Sequence, residues 1–104
     1  MIARIWHGWT HPENADAYEE LLRTRILPGI RQAAGCRGMH LFRRAAGSEM
    51  EFVTLLFFDS MEAVKAWAGD HFEVAVVPPE ARRLLARFDQ RSAHFETRFS
   101  LPVE

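Results

Sequence analysis

The hydrophobic pattern of this chain switches between a period of two and a period of about 3.6, and the switches divide it into elements. Residues 2–9 (IARIWHGW) are rich in β-branched and aromatic types and predict a strand. A helix start follows: Thr10 can cap, Pro12 suits the first turn, and Glu13 stands where a capping-box carboxylate belongs. The helix expected over 12–27 carries Ala15, Tyr18, Leu21, Leu22 and Ile26 on one stripe, and Pro28-Gly29 breaks it. Residues 36–45 and 49–58 read as two strands joined by a turn at Ala46-Gly47-Ser48. A cap at Asp59-Ser60 opens a helix with Met61, Val64, Trp67 and Ala68 on one face, which Gly69-Asp70 ends. The segment 70–77 fits neither period. Ala81, Leu84, Leu85 and Phe88 predict a helix over 79–88, and 90–99 (QRSAHFETRF) alternates as a last strand. The tail 101–104 is too short to be a domain.

The order is strand, helix, strand, strand, helix with an extra short helix, strand. This is the α+β, ferredoxin-like βαββαβ arrangement: one domain over 1–104, with a four-stranded antiparallel sheet and helices on one face. The other face should then be polar, yet the third strand is apolar on both sides. Val53, Leu55 and Phe57 point one way, and Phe52, Leu56 and Phe58 the other. A bare face carrying such side chains drives association, so two sheets are expected to pack face to face in a homodimer.

Composition narrows the chemistry. With 48% hydrophobic and 26% charged residues and a net charge of -1, the chain can bury a core and presents no basic face for nucleic acid. Twelve per cent aromatic content is high for so small an interior and points to a second buried surface or a ring-lined cavity. No run is long and apolar enough to span a membrane. The start, Met1 to His7, enters a strand without the regions of a signal peptide, and Cys36 is the lone cysteine; both predict a cytoplasmic protein.

The runs Ile2–Trp9, PENADAYEELL (12–22), FVTLLFFDSMEAVKAWAG (52–69) and EVAVVPPEARRLLARFD (73–89) resemble the antibiotic biosynthesis monooxygenase family over roughly residues 1–99. The resemblance implies a dimeric α+β barrel in which each subunit keeps a pocket between sheet and helices. It also implies oxidation of a small phenolic or quinonoid aromatic substrate with O2 and no metal or flavin cofactor. A rival reading is a non-catalytic dimeric binding or stress-response module. A third is haem breakdown, whose branch uses a first-strand Asn, a second-helix Trp and a His on the following helix. Trp67 matches the Trp, but the first strand offers Trp6 or His7, and 79–88 contains no His; His71 alone is nearby.

Within this frame His7 is the candidate catalytic base. It shares a strand face with Ala3, Ile5 and Trp9, the more apolar side and hence the one expected to meet the helices, and its ordinary pKa suits taking a phenolic proton at neutral pH. The alternative is a core histidine bonded to a backbone carbonyl. Trp67 and Trp9 are candidate substrate-binding walls, although core packing also explains Trp67's spacing. His71 and Phe72 follow a Gly-Asp break and are placed at the pocket mouth. Ser92, His94 and Glu96 share a strand face, but nothing provides a nucleophile elbow, so with Arg98 they read as a polar rim or dimer-contact row. The histidines are scattered singly; His7 and His11 have His-x-x-x-His spacing but sit across a strand-to-loop junction and not on a helix, so no metal site is expected. Cys36 reads as an inert thiol.

Overall fold

A computed structural model of the protein describes residues 1–101; the end of the tail, 102–104, lies outside the described residues. Strand β1 (Ile2–Thr10) occupies the centre of an antiparallel sheet, paired on one side with β3 (Glu49–Phe58), which in turn pairs with β2 (Cys36–Ala46). The other side of β1 is shared by two short segments. Residues Gly8 to Thr10 pair with β4 (Leu85–Phe88) and Ile2 to Ile5 pair with β5 (Ala93–Glu96). The expected last strand, 90–99, is therefore present only as the short β5, and β4 occupies the rest of that edge; both are antiparallel to β1.

Three expectations are corrected. Leu85–Phe88 is strand rather than the end of a helix, so α4 is only Pro79–Leu84. Local helical spacing loses here to the free edge of β1 and to packing of Phe88 on Trp6, ring centroids 5.9 Å apart. Pro28-Gly29 does not stop the first helix. The chain runs from α1 (Ala15–Leu21) through a π-helical turn (Leu22–Ile26) into α2 (Leu27–Arg31). The widened turn accommodates a proline that lacks an N–H and crowds the carbonyl of the preceding turn. The capping box at Thr10 and Glu13 does not form, because Thr10 is the buried last residue of β1, its hydroxyl without a hydrogen-bond partner. By contrast, Ser60 does cap α3 (Met61–Ala68), its Oγ accepting from the Ala63 amide at 3.2 Å. The hairpin turns at Gly47, whose φ of 62° favours glycine.

The helices cover one face of the sheet and bury Phe52, Leu56 and Phe58 beneath them. The core is divided. One cluster groups Ala15, Tyr18, Leu22, Phe52 and Ala81, and a second groups Ile30, Leu56, Phe58 and Val64. The space between them is the site described next.

Candidate functional site

The β1–β3 register runs unbroken from Ile2 opposite Phe58 to Thr10 opposite Met50. Because side chains alternate along a strand, burial of Phe58, Leu56 and Phe52 fixes Ile2, Arg4, Trp6, Gly8 and Thr10 on the helix-facing side. Arg4, Trp6, Thr54 and Leu56 form the floor of a cavity of about 90 Å³. Tyr18, Leu22, Ile26 and Ile30 roof it from the first helix, and Trp67 walls it from α3. Val76, Val77 and Pro78 close the remaining side, with Ser92 at the edge of β5. Trp6 is anchored by its indole N–H, which donates to the Asp89 carbonyl at 2.7 Å. Trp67 leans on Phe58 with centroids 5.7 Å apart, and its ring lies 5.2 Å from the Arg4 guanidinium.

Arg4 is the unusual member. It is 3% exposed, and among the described residues it has no carboxylate partner. Its Nη1 donates to the Phe72 carbonyl and to His94 Nε2 at 2.9 Å, and its Nη2 donates to the Val74 carbonyl at 3.3 Å. Burial pulls its pKa down to about 10, so it remains a cation at neutral pH. An arginine only donates, so His94 Nε2 must carry a lone pair and its proton sits on Nδ1. Burial and then the charge of Arg4 hold the His94 imidazolium pKa below its ordinary value, against an opposing pull from Glu73. Burial raises the Tyr18 hydroxyl, which stays a neutral phenol.

The candidates read from the sequence divide between the two faces of the sheet. Trp67 lies in the cavity, whereas His7 and Trp9 project from the opposite, open face, which corrects the face assigned to them. There His7 Nδ1 lies 2.9 Å from Glu51 Oε2, and the other carboxylate oxygen accepts from Arg44 Nε at 2.6 Å. Hydrogen bonds from Arg44 and then from His7 hold the Glu51 carboxyl below the usual carboxylate range. Trp9 stacks beside His7 and under Arg87, whose guanidinium is 3.9 Å from the ring centroid. His71 is exposed on a turn and does not line the cavity. Phe72 packs against the Phe58 cluster and edge-on to His94, so its carbonyl rather than its ring meets Arg4. Ser92 and His94, expected on a polar rim, sit on the cavity side: Ser92 lines it and His94 opposes Arg4. Arg4 and Trp6 were hidden by the parity error. The signal available for them was that the apolar triplet Phe52, Leu56 and Phe58 demands a matching side of β1.

Among the described residues no group of three or more His, Cys, Asp or Glu side chains is arranged to hold a metal ion. No helix among the described residues is long and apolar enough to cross a membrane. The family model described as antibiotic biosynthesis monooxygenase matches residues 1–77. Curated protein sequences yield no match. Among solved structures, a Bacillus cereus protein assigned by name to the same family superposes with a TM-score of 0.72 at 14% identity, covering 100% of this chain and 97% of its own. A Deinococcus radiodurans protein similarly assigned gives 0.69 at 14% identity, over 100% and 99%. The haem degrader MhuD from Mycobacterium tuberculosis, with two haems in its active site, gives 0.63 at 19% identity, over 98% and 100%. At these identities the likeness is one of fold.

Proposed function

This chain belongs to the antibiotic biosynthesis monooxygenase family, and from that premise we propose that it oxidises a small, flat, electron-rich aromatic molecule with O2 in the cavity between sheet and helices. The observation that carries the reading is the pair of indoles, Trp6 and Trp67, in one cavity whose only formal charge is Arg4. Aromatic walls with a few polar groups suit a flat ring. The ionised substrate supplies the electrons. Its anion reduces O2, carbon and oxygen join as a ring hydroperoxide, and loss of water leaves a carbonyl, so one oxygen atom enters product and the other enters water. The base role considered for His7 is not carried into this reading, since its ring is bonded to Glu51 across the sheet from the cavity.

The volume of about 90 Å³ is small beside the roughly 300–1,000 Å³ of drug-sized sites. A single ring therefore enters only as the segment Val76–Pro78 moves outward. That segment belongs to no strand or helix and is tied through its carbonyls, with Arg82 Nε donating to Val77 at 3.2 Å and the Ala81 amide to Pro78 at 3.0 Å. The residues do not fit a haem: Trp6 projects from β1 into the space, and α4 contains no histidine. The small volume is also the observation that favours the rival, a binding module without turnover.

The partner in this reading is a second copy. Ile5, Leu55 and Phe57 share the open face with Phe42, 51% exposed, and Phe95, 55% exposed. A sheet-to-sheet homodimer would cover them. The test of function is O2 uptake over a panel of phenols and hydroquinones, corrected for autoxidation. The expected result is turnover that falls at least about tenfold in kcat/KM for Trp67→Leu, equivalent to about 1.4 kcal/mol of transition-state stabilisation. Ring binding without O2 uptake across the panel would overturn it in favour of the binding module.

A further inference from the structure

We propose that the cavity selects aromatic acids, with the Arg4 guanidinium as the anchor for a ligand oxyanion. Arg4 is a charge without a counter-charge among the described residues. Burying a cation is costly unless a carboxylate accompanies it, yet the acceptors around Arg4 are two backbone carbonyls and a neutral imidazole. An arginine carries five N–H donors. Three are engaged by Phe72, Val74 and His94, which leaves two, and Arg4 lines a chamber walled by Trp67 and Trp6. None of the residues lining that chamber is acidic. Glu73, whose charge acts on His94, is paired instead with Arg91, whose Nη1 is 3.5 Å away.

The three existing bonds also hold the planar group in place, so a ligand meets an ordered donor and not a mobile one. A guanidinium presents parallel N–H groups that match the two oxygens of a carboxylate or the single oxygen of a phenolate. An aromatic ring attached to that oxyanion then extends towards the indoles. Within the proposed oxidation, on which this inference rests only for its chemical consequence, Arg4 favours the ionised phenol over the neutral one. The cavity thereby obtains the electron-rich anion without a base side chain, which accounts for the position of His7 on the far face.

The experiment is titration of the full chain with matched probes, read by calorimetry: benzoate against benzamide, phenols of decreasing pKa at fixed pH, and acetate as an anion without a ring. The expected result is benzoate at least about tenfold tighter than benzamide, tighter binding of the more ionised phenols, and little binding of acetate. Arg4→Gln should bring benzoate and benzamide within about twofold, and Arg4→Lys should retain part of the preference. Should Arg4→Gln fail to fold, the wild-type protein decides alone, through movement of the His94 ring NMR signals with benzoate and not with benzamide. Equal affinities for the matched pair, a preference that survives Arg4→Gln, or no binding by any probe would overturn the proposal. Charge preference without O2 uptake sinks the oxidation reading alone, and O2 uptake indifferent to ligand charge sinks the anchor alone.

Discussion

A glycine in the middle of a central strand weakens it unless its missing side chain serves a purpose, and at Gly8 that purpose is the position of Trp6. A Cβ added to Gly8 would lie 2.9 Å from Trp6 Cη2, 3.1 Å from its Cζ3 and 3.0 Å from Leu85 Cδ2. The backbone there has ordinary negative φ, so Gly8→Ala meets no conformational strain. Replacing a mid-strand glycine should by itself stabilise by roughly 0.5–1 kcal/mol. Against this stands overpacking, typically about 1–3 kcal/mol in a close-packed site. The steric cost should prevail, because the Trp6 ring is held at Asp89 and against Phe88 and cannot swing freely. The expected net loss is about 1–2 kcal/mol. For a chain of 104 residues, unfolding entropy of about 2.1 cal/mol/K per residue converts this to a fall in Tm of roughly 5–9 °C. The assay is thermal unfolding of Gly8→Ala, Trp6→Leu and the double variant as a cycle. In the Trp6→Leu background the indole is gone and the Leu85 methyl turns aside cheaply. There the same Gly8→Ala change should raise Tm by a few degrees. A loss of equal size in both backgrounds would refute the claim that Gly8 is empty to seat the Trp6 indole.

Other consequences are simpler to state. Leu55→Glu places a charge in the centre of the apolar open face, and light scattering should show dimer for the wild type and monomer for the variant; a wild-type monomer would refute the sheet-to-sheet partner. Ser60→Ala removes the α3 cap and should cost about 1 kcal/mol, seen as a fall in Tm of about 4–5 °C. The folded state holds His94 neutral with a pKa below its ordinary 6.5, so the unfolded chain binds the extra proton first as pH falls. Stability should therefore be full above pH 6.5 and decline from there towards the folded pKa, and His94→Gln should flatten that decline in Tm measured between pH 8 and 5. His7→Ala should leave O2 uptake per dimer unchanged, and a loss of kcat with the dimer intact would return the base role to His7.

Much of the fold was legible because its signals are local. The hairpin at Gly47, the Ser60 cap and the apolar stripe through Val64 and Trp67 each depend on a few neighbouring residues. The failures share a different cause, since each turns on something distant. Leu85–Phe88 has helical spacing but a vacant strand edge beside it, and Pro28 is accommodated by a π turn that no residue nearby announces. The site was half legible for the same reason. Trp67 lies on an unambiguous helix, whereas the side of β1 could not be judged by hydrophobicity. Its cavity-facing side carries Arg4 and Thr10, and its open side carries Ile5 and Trp9, so the outer face is the more apolar one. A sheet expected to meet a partner on one face, and to set a buried Arg4 into a cavity on the other, reverses the usual contrast. Pairing β1 with the apolar triplet of β3 resolves the parity, and with it the whole set of side chains that share the cavity.

The three tryptophans provide the most direct test of where the site lies. Trp6 and Trp67 line the cavity, and Trp9 stands on the other face of the sheet beside His7. Indole N–H signals in a ¹⁵N-labelled sample, assigned by single Trp→Phe substitutions, would be followed while benzoate or a phenol that supports O2 uptake is added. The account predicts saturable shifts of the Trp6 and Trp67 signals with Trp9 stationary. Movement of Trp9 with Trp6 and Trp67 unmoved would contradict it and place the ligand on the face of His7.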